Sequence, residues 1–554
     1  MSSEEKIKTG ISRREFVKGS ALAAMGVAAG GLLAGCGKSN TTQAPAKGAP
    51  DSSAKASFEV APPPISDKDI KETVTADVVV VGAGISGISV ALSAAEAGAK
   101  VIVIDKMKTF SARGFHVAAI DSKLQKKMGI KIDTAKAIRE LLKQADKQVK
   151  DELYWIWAKH SGAAMDWIID QGEAGGLKVE MWAGYYKGPD YTEYPVTHVF
   201  NGGPNQEKGA NIDLVSIMEQ NAKKKGVEFR YETPAVQLVK TDKGEVKSVV
   251  AGQVGSYTKF TATKGLVLCT GDYGGDKEML NKYCPLATKV DLNVYTPVGK
   301  NTGDGHKMGL WVGAAMQKGV HAPMIHTLGG AWEYFFLHVN KYGLRYQNED
   351  VTAQANCVAK MMQPEGIGWA LYDADFLTYV EKTLPVGGGF FWDQGQRNFG
   401  QEWKPEIDKA VLEEGIEAGI IVKADTLEEL AGKMNVSADN LKKTVNRYNE
   451  LVKKGVDEDF GKRSEVLYPV EKAPFYAGLM KSALLTMTSG LSINNRMQVL
   501  DEKDNPIAGL YAVGNVAGDI YAVDYPTIFP GHSHGRCVTF GRLIGQYVAG
   551  KDIY

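Results

Sequence analysis

Ala76-Asp-Val-Val-Val-Val-Gly82-Ala-Gly84-Ile-Ser-Gly87 opens a stretch that continues through an Ala-rich segment to a second apolar run, Val101-Ile-Val-Ile104, closed by Asp105 and Lys106. This is the layout of a βαβ unit that holds a dinucleotide. Gly82 permits the tight turn out of the strand, Gly84 lets backbone N–H groups approach a pyrophosphate, and Gly87 lets the helix pack on the strand. The anion sits at the helix N-terminus. Asp105, about 20 positions beyond the glycines, stands where a carboxylate accepts ribose hydroxyls.

Upstream of this unit the chain reads as a leader. Residues 1–36 form a targeting segment, because Ser12-Arg-Arg-Glu-Phe-Val-Lys18 precedes an Ala/Gly-rich stretch, Ala21 to Gly35, too short and too weakly apolar for a permanent span. The arginine pair resembles a twin-arginine export signal. Leu33-Ala-Gly-Cys36 resembles a bacterial lipobox, in which Cys36 is lipidated and becomes the mature N-terminus; the alternative is ordinary cleavage with Cys36 incidental. Twin-arginine export carries folded proteins, which suits a cofactor inserted beforehand. The expected location is the outer face of the cytoplasmic membrane, in the periplasm or at the cell surface, held by a lipid anchor. Residues 37–70 read as a flexible tether, since Lys38 to Pro64 is rich in Ser, Thr, Ala, Pro and Gly. The body is expected to begin near Ile70.

Composition narrows the classes of function. The 554 residues carry 65 basic and 65 acidic side chains, with neither a basic patch nor an acidic tail, which argues against a nucleic-acid partner. Beyond Cys36 the cysteines are Cys269, Cys284, Cys357 and Cys537, with no CxxC, no metal-type Cys/His spacing and no haem-attachment motif. A disulfide framework, a zinc site and a covalent haem are therefore disfavoured, and no metal is expected.

Along the body, helical spacing predicts helices over Thr134 to Val149, Glu152 to Gln171 and Ile212 to Lys224. Strands are expected at Val227 to Tyr231, Ala235 to Lys240, Val246 to Ala251 and Phe260 to Thr270. The less regular middle contains one charged helical section, Ala424 to Lys454, and reads as an inserted cap. Gly509 to Asn515 returns to strand pattern, and a last helix is expected over Gly531 to Val548.

Several further pieces carry a family resemblance over nearly the whole body: Cys269-Thr-Gly271, Thr302-Gly-Asp-Gly305, Gly343-Leu-Arg345-Tyr-Gln-Asn-Glu349, Lys423 to Leu430 and Gly509-Leu-Tyr-Ala-Val-Gly514. With the Gly82–Gly87 turn, they make the chain resemble the FAD-dependent fumarate reductase, urocanate reductase and 3-ketosteroid dehydrogenase superfamily. The resemblance implies an α/β fold: a split Rossmann-like FAD-binding domain (residues 71–304 and 468–554) with an inserted α+β capping domain (305–467). It implies non-covalent FAD contacted by Gly82, Gly84, Ile85, Ser86, Gly87, Asp105, Lys106, Val236, Gly271, Gly514, Asn515, Gly531 and His532. Dicarboxylate reductases of the superfamily clamp substrate with a His and an Arg. Leu485 and Ile528 stand at those positions, which makes fumarate and succinate poor candidates.

Reduction of an activated C=C bond needs an acid for one carbon and a donor for the activating carbonyl. Tyr525 is the first candidate for either task, its alternative being a packed loop aromatic. Gly531 to Gly535 opens the final helix, whose dipole suits negative charge on reduced flavin. There His532 either hydrogen-bonds flavin or substrate or is structural, and His534 is a possible helix-face residue. Arg113 and His116 are candidates for contacting an anionic substrate, with a ribityl, phosphate or surface role as the alternative. Glu349 is either an incomplete proton relay or a structural partner of Arg345, the companion Arg of the superfamily being absent from Val351 to Ala355. The aromatic run Trp182, Tyr185, Tyr186, Tyr191 and Tyr194 is either a wall for a flat substrate or filler. The leading expectation is a respiratory reductase of an enoate or enone, a small-molecule electron acceptor, fed by a membrane-linked cytochrome or flavoprotein. The alternatives are a 3-ketosteroid-type dehydrogenase and a non-catalytic flavin electron carrier.

Overall fold

The computed structural model describes residues 55–182, 192, 194–205, 211–328, 335–386 and 403–553. The arginine pair, Cys36, residues 37–54 of the tether, and Tyr185, Tyr186 and Tyr191 lie outside the described residues. Strand β1 (Ile70–Val81) turns into helix α1 (Ile85–Glu96) and then strand β2 (Val101–Ile104), the unit predicted from the glycines. Strands β3 (Glu228–Arg230), β4 (Ser256–Leu268) and β5 (Pro506–Ala512) complete a parallel array in the order β5-β4-β1-β2-β3. Val78, Val79 and Val80 are wholly buried, as expected of β-branched residues in a parallel sheet covered on both faces.

The parallel register brings the carboxyl ends of the strands together, with Val81 opposite both Ile104 and Leu268. The segments that follow, at Gly82, Asp105, Cys269 and Val513, therefore meet along one edge, where ligands bind in open α/β sheets. At Gly82 φ is +109°, and a Cβ would lie 2.3 Å from the Cys269 carbonyl oxygen. A Cβ on Gly87 would lie 1.9 Å from the Gly82 oxygen, so the turn and the helix approach only because both positions lack side chains. The last helix, α2 (His532–Val548), packs along α1, where Ser93 Oγ donates to the Arg542 carbonyl at 2.8 Å.

A second, four-stranded antiparallel sheet has the order Leu337–Asn340, Gly368–Tyr372, Phe475–Leu479, Ile421–Ala424. One of its strands thus lies beyond residue 467, where the cap was expected to end. The section read as one helix is a strand end at Ala424 followed by two helices, Leu427–Met434 and Ala438–Lys454. They separate because Asn435 adopts a left-handed conformation and Ser437 caps the second helix by accepting from the Asn440 N–H. Likewise the helix predicted over Thr134 to Val149 stops at Gln144, before Asp146 and Lys147, both at positive φ. The tether reading does not hold for residues 55–69. Phe58 is buried against Tyr283, its carbonyl accepts from Trp311 Nε1–H at 2.8 Å, and the Ile65 N–H donates to Gln237. Among the described residues no helix is long and apolar enough to cross a membrane.

Glu349 belongs to this second region. Its carboxylate accepts both Nε and Nη2 of Arg345 (2.9 and 2.8 Å) and lies 3.2 Å from Lys462 Nζ, while Arg345 also grips Asp457. Burial alone would raise the Glu349 carboxyl, but Lys462 and Arg345 outweigh it and hold it below the ordinary carboxylate value; Asp457 is held at about 2. Carboxylates with depressed values stabilise the fold above their unfolded value, and that contribution disappears as pH falls through the folded value. We therefore expect Glu349→Gln to lower stability by about 3–5 kcal/mol at pH 7, because it leaves buried cations short of a partner. Urea unfolding should show that difference shrinking as pH falls below the unfolded carboxylate value of about 4 and through the depressed value of Glu349.

Candidate functional site

A cavity of about 530 Å³ lies at the carboxyl edge of the parallel sheet. Of the residues expected to contact the cofactor, Gly82, Gly84, Ile85, Ser86, Asp105, Lys106, Gly271, Asn515 and Gly531 line it. A Cβ placed on Gly84 would have nothing within 4 Å, so the backbone at the start of α1 faces open space. No side chain caps that helix, which leaves its first amides and the positive end of its dipole to an anion. Asp105 accepts from the Ala83 and Met107 N–H groups at 2.6 and 2.7 Å. Burial raises its carboxyl, with those two amides opposing. Lys106 is paired with Asp304 at 2.7 Å and also reaches Thr302. Open backbone, an uncapped helix and a carboxylate at the end of β2 together fit the pyrophosphate and ribose of a dinucleotide.

Four expected contacts fall outside the lining. Gly87 and Gly514 are packing positions; a Cβ on Gly514 would lie 2.9 Å from Ser86 Oγ. Val236 is half-buried beside Ala235, which does line the cavity. His532 lies behind the N-terminus of α2, fully buried, with Nδ1 2.7 Å from the Tyr521 hydroxyl, its ring stacked on Tyr154 and edge-on to Trp157. Burial holds it well below the usual histidine value. Its surroundings are those of a core residue, and the catalytic expectation fails for lack of access. Glu349 is also absent from the lining, being committed to the ion cluster described above.

The other expected residues meet on one wall. Tyr525, buried and T-shaped against Tyr521, accepts the Ser533 N–H at 3.0 Å on its phenol oxygen. Burial raises that phenol, while the Ser533 amide and the Arg536 charge oppose it, so it carries its proton at neutral pH. The phenol oxygen thus accepts from the backbone at the cavity wall. Arg113 donates to the Leu485 carbonyl at 2.6 Å and stacks 3.7 Å over the Tyr295 ring. His116 packs against Trp182, and its carbonyl accepts from His534 Nδ1–H. Burial pushes His116 down to about 3 and His534 to about 4, so both are neutral. Tyr194 packs against Phe529 in the core rather than on the lining.

Leu485 lines the cavity, whereas Ile528 is buried in the core beyond it. At the two positions where the resemblance places the His and Arg of dicarboxylate reductases, this chain therefore has an apolar contact and a core residue. Residues that the sequence reading overlooked include His326 on the lining and Asp272 behind it; Thr486 and Ser533 also line the cavity. Asp272 is fully buried and accepts from Thr486 Oγ1, Asn301 Nδ2 at 2.8 Å and the Gly274 N–H at 2.7 Å. Its place directly after Cys269-Thr-Gly271 is the available signal; His326 has none, because only the antiparallel pairing of Pro323–Leu328 with Lys481–Met487 brings it to the site.

Residues 77–527 match the FAD binding domain family. The chain is 27% identical over 501 residues to a vinyl phenol reductase of Lactiplantibacillus plantarum, covering 85% of this chain and 96% of that protein. It is 27% identical over 463 residues to a urocanate reductase of Eggerthella lenta, covering 80% and 70%. Among solved structures it resembles the open conformation of a flavocytochrome c3 fumarate reductase, with 26% identity, a TM-score of 0.62 and 90% and 82% of the two chains covered. The fold is shared with a 3-ketosteroid-Δ4-(5α)-dehydrogenase of Rhodococcus jostii at a TM-score of 0.68, 22% identity and coverage of 88% and 100%. The cradle and these matches agree: the chain belongs to the FAD binding domain family and is an FAD-dependent oxidoreductase of the fumarate-reductase type, acting on carbon–carbon bonds.

Proposed function

We propose that this enzyme reduces the C=C bond of a small enone or enoate, with an activating group other than a pair of carboxylates, and that Tyr525 supplies the proton. The observation that carries the reading is the Tyr525 phenol on the cavity wall with its oxygen bound to the Ser533 N–H at 3.0 Å. Bound FAD supplies the hydride. As the proton leaves Tyr525, the Ser533 amide and the N-terminal dipole of α2 stabilise the phenolate. Neutral His116 and His534 cannot act as cationic anchors. Among the described lining residues the cations are Lys106, Arg113 and Lys300. Lys106 is matched by Asp304, Lys300 is exposed to solvent, and Arg113 is held by Leu485 and Tyr295, which favours one polarised oxygen over a clamped dicarboxylate. The similarity to a vinyl phenol reductase supports a substrate that is not a dicarboxylate.

In the same proposal the chain is exported through the Arg13-Arg14 signal and anchored by a lipid on Cys36. It takes electrons from a membrane-linked cytochrome or flavoprotein and serves as a respiratory terminal reductase. A second reading, dehydrogenation of a ring ketone, is favoured by one feature. Tyr525 and Gly531 both line the cavity, so a phenol and a backbone amide are available to one carbonyl oxygen.

Anaerobically reduced enzyme should be reoxidised quickly by aryl enones, vinyl phenols or aryl acrylates, as read by flavin absorbance, and slowly by fumarate. Equal rates with fumarate would discard the proposed substrate class, and reduction of oxidised enzyme by a steroid ketone would favour the second reading. Tyr525→Phe should retain the bound-flavin spectrum and slow reoxidation by about 10²–10⁴-fold, the usual worth of a positioned acid. A loss of only a fewfold would remove Tyr525 from the acid role.

A further inference from the structure

Among the described residues, buried cations are matched by carboxylates, with one exception. Arg345, Lys360 and Lys462 pair with Glu349 or Asp291 at 2.8, 2.5 and 3.2 Å. Arg536, on α2 one turn from its start, is 1% exposed and has no such partner among the described residues. Its Nη2 donates to Asn515 Oδ1 at 2.8 Å and lies 3.5 Å from the Thr488 carbonyl; its Nη1 reaches the Ala517 carbonyl at 3.3 Å. The guanidinium lies 4.6 Å over the Tyr521 ring, and Nε has no hydrogen-bond partner.

The titratable groups that sense this charge are Tyr154, Tyr521, Tyr525, His532 and Cys537. Burial raises the phenols and the thiol and lowers the histidine, so all five are neutral near pH 7. A guanidinium does not deprotonate in proteins, and a buried one without an anion costs several kcal/mol. Arg536 is one side chain away from the cavity. The Asn515 oxygen that accepts from Arg536 also accepts from Ser533 Oγ at 3.3 Å, and Asn515, Ser533 and Cys537 all line the cavity.

We propose that Arg536 is a positioned positive pole whose counter-anion is the reduced flavin. Oxidised FAD takes up two electrons and one proton to give a ring system with one negative charge, and that charge completes the missing pair. Arg536 thereby favours the reduced over the oxidised cofactor and raises the reduction potential. The inference rests on FAD occupying this cavity and on no particular substrate, so it stands or falls separately from the substrate reading.

Redox titration of the full-length holoenzyme against reference dyes tests it without substrate. Arg536→Gln should keep the oxidised-flavin absorption and shift the reduced-to-oxidised ratio at a given dye potential at least tenfold toward oxidised, about 30 mV for a two-electron couple. Arg536→Lys, which keeps the charge, should stay within about threefold of the parent. An unchanged potential in Arg536→Gln with flavin bound overturns the proposal, as does an equal shift in Arg536→Lys. Should Arg536→Gln not fold, Arg536→Met decides, because it fills the same buried space without a charge. The proposal then requires the same tenfold shift toward oxidised and fails if the potential does not move.

Discussion

Two helix N-termini, those of α1 and α2, open onto one cavity, and the rest of the site depends on that convergence. Neither has a cap from its N-cap side chain, so each turns the positive end of a dipole toward whatever occupies the space, α1 with open amides and α2 with its Ser533 amide already bound to Tyr525. The convergence is possible because the helices pack against each other at small residues. A Cβ on Gly541 would lie 2.7 Å from the Ser89 Cβ, and one on Gly545 2.5 Å from the Val90 oxygen. Backbone dipoles oriented by packing need no reorganisation when negative charge arrives, unlike mobile surface lysines.

The same burial that orients these dipoles removes histidine charge. His116, His326 and His534 all line the cavity, and burial takes them to about 3, 3 and 4. Positive potential is instead supplied by groups that cannot lose it: the helix dipoles, Arg113 over Tyr295, and Arg536 behind Asn515. In the proposed reaction the acid is a phenol, which keeps its proton in a site where an imidazolium would not persist. The proposed substrate class follows from a wall with Leu485 and neutral rings, which suits a flat molecule better than a dianion whose desolvation it does not offset.

The second sheet and its helices hold the counterexample, in which charge is matched internally. Arg345, Glu349, Asp457 and Lys462 form a closed set with two charges of each sign, bonded to one another and to Tyr448. Such a set contributes rigidity and asks nothing of a ligand. The contrast with Arg536 separates structural from functional charge within one molecule.

The βαβ unit and the fold class were legible in the chain because they rest on local constraints. Gly82, Gly84, Gly87 and Asp105 act within a single turn-helix-strand, and the run of valines in β1 is buried through its own strand pairing. Tyr525, Arg113 and His116 were legible as candidates through their neighbours in sequence, and the cavity brings all three to its lining. For His532 and Glu349 the sequence left a site role and a structural one open, because identity and spacing do not reveal which way a side chain turns. One faces Trp157 and Tyr154, the other Arg345 and Lys462. The partners of Asp272, His326 and Arg536 come from segments distant in the chain, as in Thr486 bonding to Asp272. The sequence by itself determined the cofactor class, through backbone geometry that only glycine and a placed carboxylate allow. Only the tertiary structure decided which charges are neutralised and which face the cavity, because burial and pairing are properties of what surrounds a residue.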